Sequence, residues 1–269
     1  MVATEGGVST PRSSEMREDA GRPFEAFVEQ LADFVLSLPP YEGETCLELI
    51  AAGRPSVAGV REWCKDFWAF GESAVQRIAG QLSHVTDPVA FRAVAQAFCT
   101  EAGYYLTSNH MDLWAAFCTD IGIPRAELEG YEPIAETLMC IYTQEYWMTF
   151  STEVQALAAF HLGVPPQVKD RVSDGITMGG MGGGRVEGPG FLGLIQGLQQ
   201  HYGLRAERAM EFVRLHGEIE PFELGEAWNY IRPYVQTSVQ QEEFLRAYTL
   251  NVLAQRAREG ALARHIMSV

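Results

Sequence analysis

Apolar residues recur every three or four positions through most of the chain, and no run alternates long enough for a confident strand. Phe24 to Leu38 carries Phe24, Phe27, Val28, Leu31, Phe34 and Leu38 at helical spacing and stops at Pro39-Pro40. A short helix is expected over Cys46 to Ala52. A long aromatic-rich one follows over Val57 to Ser83, with a bend at Gly71. Asp87 with Pro88 starts the next helix, which runs through Glu101 to Gly103. Ser108 or Asn109 can cap His110 to Ile121, and Tyr131 to Gly163 reads as one long helix or two in tandem. Further helices are expected over Phe191 to Tyr202, Glu207 to Tyr230 and Val235 to Glu259. The pattern predicts an all-α fold in one domain spanning residues 23–260. Residues 1–22 and 261–269 read as tails. Residues 173–190, with eight glycines, read as a flap or insert.

The net charge of −15 argues against nucleic acid and anionic membranes as partners. No apolar run approaches the ~20 residues that span a bilayer. The polar first 22 residues lack a signal core, so a cytoplasmic location is expected. The five cysteines form no CxxC and sit in apolar helical patterns, as reduced core thiols would.

The chemistry is concentrated in few places. FVRLHGEIEPFELGEAW, from Phe212 to Trp228, holds His216, Glu220 and Glu223 within about 60° of one helix face. One imidazole and two carboxylates converging there make half of a binuclear metal site. An isolated HxxxExxE is more often a solvated acidic face, but the surrounding residues are apolar. Pro221 should kink the helix beside Glu220. His110 and His161 also lie in apolar helical surroundings. Glu101 can end one helix where His110 begins the next, both facing inward. The ExxH pair of ferritin-type bundles, HExxH, GxSxG and the P-loop are absent.

TEAGYYLTSNHMDLW, VQALAAFHLGVPP and LHGEIEPFE together resemble the haem-oxygenase-like diiron oxidases and oxygenases, over roughly residues 57–258. The resemblance implies a bundle of about seven core helices holding two Fe(II), with O₂ as co-substrate. It implies the metal ligands Glu101, His110, His161, His216, Glu220 and Glu223, with Glu153 in reserve. Many members have a glutamate where this chain offers His161, and a final histidine where it has Glu223. The two exchanges keep three imidazoles and three carboxylates, leaving a charge of roughly +1 on two ferrous ions. The chain is similar to the members that desaturate free amino acids, or cyclise isoleucine or valine to azetidines for antibiotic biosynthesis. A small-molecule substrate follows; an external electron donor and a homodimer stay open. The rival readings are a metal-free thiaminase-like hydrolase or cofactorless oxidase on the same fold, and a non-enzymatic helical binding protein. A substrate carboxylate would need a cation, with Arg92 and Arg214 as candidates.

Overall fold

A 31-residue helix, α11 (Ser238–Ser268), is the backbone against which the other elements are arranged. The Thr237 hydroxyl accepts from the Gln240 amide, and Gln240 answers to the Thr237 amide, so the first turn is closed at both ends. The computed structural model describes residues 20–37, 43–103, 109–159, 190–204 and 230–269, with Glu211 and Trp228. Among these, the other helices are α1 (Phe24–Ser37), α2 (Cys46–Ala51), α3 (Val57–Glu72), α4 (Ala74–Leu82), α5 (Pro88–Glu101), α6 (His110–Asp120), α7 (Arg125–Glu129), α8 (Ala135–Phe150), α9 (Glu153–Ala158) and α10 (Gly190–His201). No strand occurs among the described residues; the one β contact is an isolated bridge between Ala20 and Thr237. No helix among them is long and apolar enough to cross a membrane.

Polar local signals set most of these boundaries. The Ser56 hydroxyl caps α3, and Thr45 with Glu48 forms a capping box on α2. Asp87 Oδ1 accepts from the Val89 and Ala90 amides and so starts α5. The long helix expected over 57–83 breaks at Ser73 into α3 and α4, two residues past the expected bend. Within the described part of the stretch expected over 131–163, residues 131–159, lie α8 and α9, and α7 is a short helix that apolar periodicity did not register.

Two boundaries of the expected domain need correction. Residues 261–269 are not a tail, because α11 continues to Ser268 and buries Leu262, Ala263 and Ile266. There the helix presses on α3 so closely that a Cβ at Gly59 would lie 2.1 Å from the Ile266 carbonyl oxygen. At the other end, Ala20 to Arg22 are tied down: the Gly21 amide donates to Gln236 O at 2.9 Å and Arg22 N to Gln241 Oε1 at 3.0 Å.

The described core has a small apolar cluster of Phe70, Cys140 and Ile141 and two large ones. Of the large ones, one surrounds Phe27, Met148 and Phe244; the other surrounds Trp63, Trp114 and Ile266. Along α11 buried Gln255 and Arg258 lie between the two, and buried Asn251 sits beside Val252 at the edge of the first. This buried polar layer crosses the bundle and borders the candidate site.

Candidate metal centre

Glu101 is the last residue of α5 and His110 the first of α6. Gly103, at φ +85°, reverses the chain, and a Cβ there would come within 2.6 Å of the Asn109 amide nitrogen. Asn109 is extended and its Oδ1 accepts from the Asp112 amide at 2.7 Å, a cap that starts α6 at His110. Trp114, one turn on, anchors the helix: its Nε1 donates to Cys64 O at 2.9 Å and its ring packs 4.4 Å from Phe67.

These constraints bring His110 Nδ1 to 2.9 Å from Glu101 Oε2, with both side chains largely buried. A divalent first-row ion with bonds of about 2.1 Å at right angles would hold two donor atoms roughly 3 Å apart. The pair fits that spacing, and imidazole with carboxylate suits iron. Among the described residues it is a pair only, since no group of three or more His, Cys, Asp or Glu able to hold a metal occurs there. His161, His216, Glu220 and Glu223 lie outside the described residues, as do Pro221, Arg214 and nearly all of 173–190.

Glu153 is not a reserve ligand for this pair. It sits in the first turn of α9, where its carboxylate accepts from the Thr86 amide and, at 3.3 Å, from the Thr86 hydroxyl. Thr86 lies just before the start of α5 and Glu101 at its end, about 20 Å away over 14 residues. The remaining described histidines serve elsewhere: His84 Nε2 meets Thr149 O at 2.9 Å, His201 packs over Gly53, and His265 lies 3.6 Å from Glu62.

The cations near the site are ones that helical periodicity concealed. Arg92 is exposed on α5. Arg77, on α4, is 2% exposed, donates to the Ser73 hydroxyl and to Phe70 O, and feels the Glu101 charge. Burial holds its pKa down at about 10, with Arg258 pushing the same way, so it stays protonated at neutral pH. The Arg258 guanidinium lies over the Phe70 ring, 4.3 Å from its centre, and its Nη2 donates to Asp66 Oδ1 at 3.0 Å. Burial opposes the Arg258 cation, but Asp66, Cys140 and Glu259 outweigh it and raise its pKa. Thr137 Oγ1 completes the group, donating to Asp66 Oδ1 at 2.8 Å and accepting from Arg258 Nε at 3.2 Å. One signal was present in the sequence: Asn251, Gln255 and Arg258 recur at helical spacing inside an otherwise core-facing stripe.

Cys140 lies in this layer, and burial pushes its thiol up to about 11. Four of the five cysteines are buried and Cys99 is half-buried. A thiol reagent at pH 8 should therefore modify about one thiol per native chain, at Cys99, and all five after unfolding. Rapid labelling of Cys140 in the native chain would contradict its burial.

No family model matches this chain, and no curated protein matches it by sequence. Solved structures do. A TenA homologue from Pseudomonas syringae superposes with a TM-score of 0.65 at 12% identity, covering 93% of this chain and 94% of its own. A CADD-like protein of unknown function from Nostoc punctiforme gives 0.64 at 13%, covering 91% and 98%. A domain of unknown function from Shewanella denitrificans, itself described as having a haem-oxygenase-like fold, gives 0.59 at 12%, covering 91% and 90%. The fold is haem-oxygenase-like. At these identities the likeness concerns the fold alone, and it matches the all-α bundle expected from the sequence.

Proposed function

We propose that the chain is a non-haem diiron oxidase that uses O₂ to act on an aliphatic C–H of a small substrate, a free amino acid such as isoleucine or valine. The outcome is desaturation or C–N closure. The observation that carries this reading is the buried contact between His110 Nδ1 and Glu101 Oε2, two ligand-type donors delivered by separate helices at 2.9 Å. In this reading Glu101 and His110 hold one side of the centre, and His161, His216, Glu220 and Glu223 supply the rest. When bound, the two ferrous ions supply the electrons that activate dioxygen for hydrogen removal from an unactivated carbon.

The chain's own residues set the conditions for that chemistry. α6 is fixed by its Asn109 cap and by the Trp114 anchor, so His110 has little freedom to rotate away from Glu101. A carboxylate at the C-terminus of α5 is unfavourable against the helix dipole, and the nearby Arg77 cation offsets this. The apolar clusters on either side of the polar layer limit water entry.

The metal-free hydrolase reading has one observation in its favour, a buried cysteine beside two guanidinium groups. Burial pushes the Cys140 thiol up to about 11, however, so it stays protonated at neutral pH and is a poor nucleophile. The proposal is tested by supplying Fe(II)-loaded protein with L-isoleucine or L-valine and O₂. Oxygen uptake should depend on the amino acid and yield a product lighter by two hydrogens. Uptake unaffected by any aliphatic amino acid would overturn the substrate assignment.

A further inference from the structure

The outer face of α8 is apolar where solvent would favour charge. Met139 is 64% exposed, Tyr142 62%, Tyr146 54% and Phe150 70%. Spacings of three, four and four put them on one face, within about 80° of arc and over roughly 16 Å of helix. Glu145 is the one charged residue among the exposed positions of α8, and it lies about 100° from the centre of the stripe. The helix cannot turn to hide the stripe, because its inner face is tied to α11. Thr137 Oγ1 accepts from Arg258 Nε at 3.2 Å, and Gln144 Nε2 donates to Asn251 Oδ1 at 3.1 Å. α8 thus carries polar groups inside and aromatic rings outside.

The size of the stripe suits a protein contact. Four side chains of about 200 Å² each, more than half exposed, present roughly 500 Å² of mostly apolar surface. That is close to the apolar share, about 60%, of the roughly 800 Å² that each partner gives to a standard interface. The same two bonds make α8 and α11 antiparallel, so the exposed Leu250 and Leu253 of α11 stand level with the middle of the stripe.

We infer that this stripe is the contact surface for a second copy of the chain, with α8 packed antiparallel on the partner's α8 about a twofold axis. The stripe is self-complementary. Its four positions are symmetric about a point between 144 and 145, so on an antiparallel copy Met139 meets the partner's Phe150 and Tyr142 meets the partner's Tyr146, each pair twice. A thioether against an aromatic ring and a pair of tyrosine rings are both favourable contacts. Two chains of net charge −15 repel one another, and this face lets them meet without burying an acid. Glu145 stays in solvent at the rim. The contact does not depend on the oxidase reading.

Sedimentation velocity on the full-length protein should give about twice the chain mass of 29.8 kDa at ~10 µM, as a standard-size interface supports. Tyr142→Lys and Tyr146→Glu each put an unpaired charge into the contact and should each weaken association at least tenfold. Both side chains are exposed, so helical content should not change. An equal mixture of the two variants should associate at least tenfold more tightly than either alone, because the introduced cation and acid then face each other across the axis. Phe91→Lys, at an exposed position on α5, should leave association unchanged. Wild-type protein of single-chain mass up to about 100 µM would overturn the proposal and leave the stripe to a different protein. A dimer that neither tyrosine substitution weakens would place the contact on another face and overturn it as well. A mixture no tighter than its two components would overturn the antiparallel pairing.

Discussion

Asp66→Ala is expected to lower the stability of the fold by about 3–5 kcal/mol, because it leaves the Arg258 guanidinium buried without its carboxylate. Asp66 is fully buried and accepts from Arg258 Nη2 at 3.0 Å and from Thr137 Oγ1 at 2.8 Å. For a chain of this size the melting temperature should fall by roughly 10 °C or more. Removing both charges in Asp66→Leu with Arg258→Met should recover most of that loss, since well-packed apolar residues of similar volume replace a buried pair at little cost. Urea titrations of the two proteins measure the difference. A single variant within about 1 kcal/mol of wild type would show that water reaches the layer.

Gly103→Ala is expected to weaken metal binding more than tenfold with only a moderate loss of stability. The φ of +85° costs an alanine roughly 1–2 kcal/mol. In addition, its Cβ would lie 2.6 Å from the Asn109 amide nitrogen, so the backbone that carries His110 must shift away from Glu101. Displacements of about 1 Å are enough to spoil a ligand pair. Gly122→Ala makes the informative comparison: its φ is +83°, but nothing lies within 4 Å of the added Cβ. It should show the same backbone strain with metal affinity unchanged. Co(II) or Fe(II) titration of the two variants separates strain from displacement, and equal affinities would contradict the role given to Gly103.

The all-α architecture was legible because each long helix shows one apolar face and ends at a residue that stops helices. Asn109 before His110 and Asp87 before Pro88 act as the caps their chemistry suggested. The end of α11 was not legible, because Arg256, Arg258 and Glu259 look like a polar exit from the core. In the structure Arg258 is instead held inside by Asp66, and the helix resumes its apolar contacts at Leu262 and Ile266. For the same reason the sequence pointed to the exposed Arg92 and missed Arg77, since burial of a single arginine depends on partners brought by other helices. Glu101 and His110 were readable as facing residues because Gly103 permits the reversal between them. Glu153 was misplaced because helical spacing says nothing about which end of a neighbouring helix a side chain will meet.

Iron content tests the metal centre most directly. After anaerobic loading with Fe(II) and removal of excess metal, the wild-type chain should retain about two iron ions, and Glu101→Ala and His110→Ala should each retain about one or fewer while keeping the wild-type helical content. Less than about one iron per wild-type chain, with the same content in both variants, would contradict the diiron reading.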